Sequence, residues 1–196
     1  ANNPVMRFDP TGNSFALLIF GIFLVVSLFT LTYSSSDSND KKVYYDVPLY
    51  SQGGLNLCWA YCQVMVEAYQ SNTKLTQKEA DARAKEIAIK RNGAENWNSG
   101  GMPSNKGKGI DVSNIEELYN ALIENGGPLY ALYRSDYSPG HLVVVTGVNV
   151  TRNIVYTNNP WNVRGEQSFS AFQNGVARYP WQLDGGLYLS WVYFTT

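Results

Sequence analysis

Reactive side chains are scarce in this chain, which has a single histidine, His141, and only two cysteines, Cys58 and Cys62, among 196 residues. A zinc site of cysteine and histidine needs four ligands, so three such residues cannot build one, and no metal or cofactor is expected. The two cysteines stand four positions apart in a stretch that reads as helix. One helical face brings such a pair together, yet helix geometry seldom lets it close a disulfide. A disulfide framework is excluded, and both residues are expected as thiols. Net charge is lacking as well: 15 Lys and Arg oppose 16 Asp and Glu. That balance gives no reason to expect nucleic acid or an acidic lipid surface as partner. Any ligand has to be found from a site.

Hydrophobic residues make up 44% of the chain, enough for a real core. Their longest run is FALLIFGIFLVVSLFTLTY, residues 15–33, which carries no charge. A helix of that length spans a bilayer. A cleaved signal peptide has a shorter apolar region and a small-x-small site, and Leu31-Thr32-Tyr33 offers none. The segment is therefore read as a retained anchor or uncleaved signal. Residues 1–14 form a tail before it, and SSSDSNDKK, residues 34–42, is a polar stalk. Extended, such a stalk reaches at most about 30 Å, so the domain after it lies close to the membrane. The expected protein is single-pass, with its domain outside the cytoplasm. Charge does not fix the side, because Arg7 flanks one end of the span while Lys41 and Lys42 flank the other.

Residues 43–196 read as one globular unit. Apolar spacing and capping boxes at Thr76–Glu79 and Ser113–Glu116 predict helices near 58–70, 77–91 and 114–125. After Gly126-Gly127 the texture turns to β, with strands predicted at 128–134, 141–150, 153–158 and 186–194. The fold class is α+β, a helical half packed on an antiparallel sheet or barrel. The stretch 92–109, rich in Gly, Asn and Lys, has no apolar period and reads as mobile surface.

Cys58 opens the first helix, and Gln52 stands six positions before it. A helix N-terminus supplies a positive dipole and free amide donors, which lower a thiol's pKa. The alternative is a small buried core residue, the usual fate of free cysteine. Cys62, one turn on beside Met65 and Val66, is assigned to the core. His141 follows Ser138-Pro139-Gly140, read as a turn, and opens the run LVVVTG, so any cysteine–histidine chemistry must use it. The runs 141–150 and 153–158 form a hairpin turning near Thr151-Arg152. A turn centred on Thr151 puts residue 159 opposite 143, on the face of His141, and turns Asn158 away. A shift of one residue reverses the two asparagines.

Gln52-x5-Cys58-Trp59-Ala60, Gly140-His141 leading a valine-rich strand, and Asn159-Pro160-Trp161 together resemble the papain superfamily of cysteine peptidases. The likeness is strongest to its compact bacterial branch, which includes bacteriocin-leader-processing domains, staphopains and certain secreted effector proteases. It covers residues 43–196 and leaves the anchor unmatched. The resemblance implies a Cys58 nucleophile, a His141 base and an Asn159 that orients the imidazole. It also implies an oxyanion hole from the Gln52 side chain and the Cys58 amide, with Trp161 shielding the His–Asn bond and Trp59 in support. Members of this branch often carry Asp where this chain has Asn159. The implied activity is cleavage of peptide bonds in a peptide or protein substrate. The stretches 92–109 and 135–140 are expected to line the cleft. Two alternatives remain open: a peptidoglycan amidase of related fold, and an inactive relative serving as a tethered binding module or membrane-complex subunit.

Overall fold

A computed structural model of the protein describes residues 40–135, 138–175 and 188–195. Helix α1, Cys58–Gln70, is buried on nearly every side, from Trp59 to Val66. An apolar cylinder of that kind is stable only as the centre of a core. Helix α2, Gln77–Asn92, packs on it through Ala80, Ala84, Ile87 and Ala88, mostly small residues that let the backbones approach. Its start is the capping box the sequence predicts: the Thr76 side chain accepts from the Glu79 amide and Glu79 reaches back to Thr76. Helix α3, Ile115–Asn125, is capped one residue later than expected. Asn114, not Ser113, accepts from the Glu117 amide, and Ser113 instead donates to the Glu117 carboxylate. Helix α4, Phe169–Gln173, is short and adds Phe169 and Phe172 to the core.

Among the described residues, seven strands form one antiparallel sheet: β1 (Lys42–Tyr44), β2 (Lys106–Ile110), β3 (Leu129–Ser135), β4 (Ser138–Asn149), β5 (Ile154–Asn159), β6 (Val163–Ser168) and β7 (Tyr188–Thr195). Their order is β2-β7-β3-β4-β5-β6, with β1 added against the far end of β4. Strand β3 is buried from Leu129 to Tyr133 because both of its faces are covered there. Tyr130 and Leu132 join the core under α1 and α2, whereas Leu129, Ala131 and Tyr133 join the core under α3 and α4. Helices therefore cover both faces of the sheet, though they precede most of it in sequence.

The stretch 92–109 is not the loose surface expected. It contains the start of β2, packs Trp97 and Met102 against the α1 core, and bonds the Ser104 amide to the Gln63 side chain. Strand β4 begins at Ser138, so Ser138-Pro139-Gly140 is strand rather than turn, and His141 lies inside the ladder opposite Tyr133. Asp40–Lys42, at the end of the polar stretch, are tied to the sheet. The Lys41 amide donates to Thr151 Oγ1 at 3.0 Å and its carbonyl accepts from Val150 at 2.8 Å. The anchor expected over residues 15–33 lies outside the described residues. Among those described, no helix is long and apolar enough to cross a membrane.

Candidate active site

Cys58 is the first residue of α1. The residue before it, Leu57, offers no side-chain cap, so the first-turn amides keep their donors. The thiol is half-buried, and burial pushes its pKa up. The amide N–H groups of Leu142, Trp59 and Cys58 draw it down without overcoming burial, so the lowered pKa expected of a helix N-terminus is not found. One turn on, Cys62 is fully buried, its pKa well above the ordinary thiol value by burial, and its S–H donates to the Leu142 carbonyl at 3.3 Å. The Leu142 backbone is thus held between two sulfurs: its N–H donates to Cys58 and its C=O accepts from Cys62. This links the start of α1 to β4 one residue past His141.

His141 is almost wholly buried. The Trp161 indole stacks on its ring, centroids 3.9 Å apart and planes 19° apart. Asn159 Oδ1 lies 2.9 Å from His141 Nε2 and also accepts the Trp161 backbone N–H at 3.0 Å. The second bond settles the orientation of the amide. A backbone N–H can only donate, so the atom facing it is oxygen, and His141 Nε2 must then carry a proton. In the neutral ring the other nitrogen, Nδ1, holds the lone pair. Burial lowers the His141 pKa to about 4, against the Asn159 bond, which raises it. In the free cleft both shifts favour neutral thiol and neutral imidazole.

Asn158, the alternative to Asn159, serves the fold. Its Nδ2 donates to the Val47 carbonyl at 2.8 Å and to Pro48 at 3.3 Å. A bulge decides between the two. Near the turn β4 and β5 pair as Val148 with Val155 and Gly147 with Tyr156, but beyond the irregularity at 145–147 they pair as Val145 with Thr157 and Val144 with Asn158. Had the near-turn register run on, Asn159 would lie across from Val144, and the face it shares would hold Leu142 and not His141. The extra residue on β4 sets it across from Val143, on the face of His141.

Gln52 is buried beside the cleft. Its backbone N–H donates to the Pro160 carbonyl at 2.7 Å, joining its loop to the Asn159–Trp161 segment. Its Nε2 donates to the Leu55 carbonyl, which occupies one of two amide protons, while Oε1 is buried with no partner among the described residues. Trp59 braces the opposite wall: Nε1 donates to the Ser99 carbonyl at 3.1 Å, and a Cβ on Gly101 would come within 2.7 Å of the indole. Gln52, Cys58, Trp59, His141 and Trp161 all border one cleft of about 560 Å³. Sequence reasoning missed Leu132, Arg134 and Leu142, which border it too. Alternation along PLYALYR carries the signal for the first two.

A cysteine heading a buried helix, set across a cleft from a sheet histidine whose far nitrogen an amide holds, is the construction of the papain-like cysteine peptidases. The fold is of that class. The family model described as papain-like cysteine protease AvrRpt2 matches residues 41–177, and the chain belongs to that family. It is a cysteine peptidase, and its substrate is a peptide or protein. Comparison with curated proteins and with solved structures gives no significant match.

Proposed function

We propose that the protein cleaves peptide bonds at the cleft through Cys58, His141 and Asn159, with Gln52 as an oxyanion donor, while residues 15–33 hold it at a membrane. The observation that carries this reading is the Asn159 amide oxygen, which binds both His141 Nε2 and the Trp161 N–H. It leaves Nδ1 as the only basic nitrogen, and general-base work by imidazole requires one.

The Cys58 proton passes to His141 Nδ1 as sulfur attacks the scissile carbonyl carbon. The carbonyl π electrons move to oxygen, which draws on the Cys58 amide and the second Gln52 Nε2–H. The intermediate collapses, breaking the C–N bond, and the imidazolium protonates the departing amine. Water, deprotonated by His141, then opens the thioester and restores the thiol. Burial disfavours charge on both groups, so the first proton transfer is placed in the attack step.

The uncharged run at 15–33, with only a short polar stretch before the domain, supports single-pass attachment, with the domain proposed on the extracytoplasmic side. A membrane-complex partner fits the same placement. Full-length protein in detergent should cleave an unfolded protein and leave purified peptidoglycan intact. Cys58→Ala and His141→Ala should abolish cleavage, and a thiol-directed epoxide should label Cys58. Release of peptidoglycan fragments, or labelling of Cys62 instead, would overturn the assignment. Carbonate extraction of cells should leave the chain in the membrane pellet, and a soluble chain would refute the anchor.

A further inference from the structure

Among the described residues that border the cleft, Arg134 alone carries a formal charge, and no carboxylate is among them. Strand alternation accounts for its direction. Tyr130 and Leu132 of β3 turn toward α1, and Arg134 is next on that side, where the strand emerges from the core and the side chain is exposed. Its guanidinium has no carboxylate partner among the described residues.

Gly140 on β4 lets the two strands pack closely at this corner. Its φ is +95°, and a Cβ there would sit 3.4 Å from Leu132 Cδ1, 3.6 Å from Arg134 Cγ and only 3.0 Å from the Tyr133 carbonyl. Leu132, Arg134 and Gly140 together border one corner of the cleft, a notch with Leu132 as its apolar floor and the Arg134 stem as its wall. It opens on the same cleft as His141. On the far side of the cleft, the Arg91 guanidinium lies 5.6 Å above the Trp59 ring and adds positive charge behind that wall.

We infer that the notch selects substrates by an acidic side chain close to the scissile bond, glutamate above all, and that Arg134 is the specificity-determining residue. The inference rests on the peptidase reading. The methylenes of glutamate suit the Leu132 floor, and the planar guanidinium matches a carboxylate in bidentate fashion, as lysine does not. Lysine at the same substrate position would meet repulsion.

The test uses full-length protein in detergent and peptides that differ only by Glu, Gln or Lys at each position within a few residues of the scissile bond. An exposed ion pair is worth a few-fold, and exchanging attraction for repulsion compounds it, so kcat/KM should favour Glu over Lys roughly tenfold at one position. Arg134→Glu should invert that ratio and Arg134→Lys should keep its sign. The same peptides should bind Cys58→Ala in the same order. Turnover with no charge preference, or a preference that Arg134→Glu leaves in place, overturns the inference while the peptidase stands. Charge-ordered binding that Arg134→Glu inverts, without turnover in the native chain, sinks the peptidase and keeps the notch. Neither turnover nor charge-ordered binding overturns both.

Discussion

The Trp161 indole lies almost parallel to the His141 imidazole, 3.9 Å away, and its own backbone N–H shares the Asn159 oxygen that His141 uses. One residue thus dries the ring and steadies the group that orients it. Burial is the cause that holds the imidazole near 4, so removing the indole should readmit water and raise that value toward 6.5. The acid limb of kcat/KM for Trp161→Ala should move upward in pH by a unit or so. An acid limb unchanged in a folded variant would refute the shielding role.

The two adjacent asparagines should separate stability from catalysis. Asn158→Ala strands the Val47 and Pro48 carbonyls and should cost about 1–3 kcal/mol of stability, seen in denaturant melts, with activity of the folded fraction retained. Asn159→Ala should lower kcat on the order of a hundredfold, as misorientation of a base does. Equal losses of kcat in both would argue against the assignment.

Thiol reactivity should follow burial. Alkylation of Cys58 by iodoacetamide should keep rising past pH 9, the ordinary thiol value, because the thiol is displaced upward. A plateau below pH 7 would reveal a thiolate already paired with imidazolium in the free protein. Cys62, fully buried, should react only on unfolding.

Folding stability should depend on His141 in acid. With the folded value near 4 and the unfolded value near 6.5, the unfolded chain binds the proton more readily between them. The contribution is complete above pH 6.5, falls as pH drops, and is lost below about 4; it amounts to roughly 3 kcal/mol. The Tm of His141→Asn should decline less over this window than that of the native chain. Parallel Tm curves would show that the ring is already charged or solvated when folded.

What was legible in the sequence follows from where burial leaves a period. The ends of α1 and α2 were readable because apolar spacing and the Thr76–Glu79 box mark them. Strands β2 and β6 were not: KGKGI and VRGEQS lie at the two edges of the sheet, are largely polar, and show no clear alternation. Strand β1 is only three residues long. Pro139 and Gly140 imitated a turn because both favour turns, yet they stand in β4. Scarcity pointed to His141, and the resemblance to Cys58 and Gln52, and all three border one cleft. The pKa of Cys58 could not be read that way, since burial outweighs the amides and burial is a property of the whole fold. Asn159 over Asn158 required the turn and the bulge together, and only the turn leaves a mark in the sequence.

Gly147, which flanks that bulge, has the Val43 carbonyl where a Cβ would be, 2.4 Å from it. Any side chain there has to push β1 off or let the ladder slip a notch. A slip by one residue would offer His141 the wrong one of two chemically identical amides, and the chain would keep every reactive group while losing their alignment. A glycine that does not border the cleft therefore acts like the indexing pin of a lock, deciding which tooth engages.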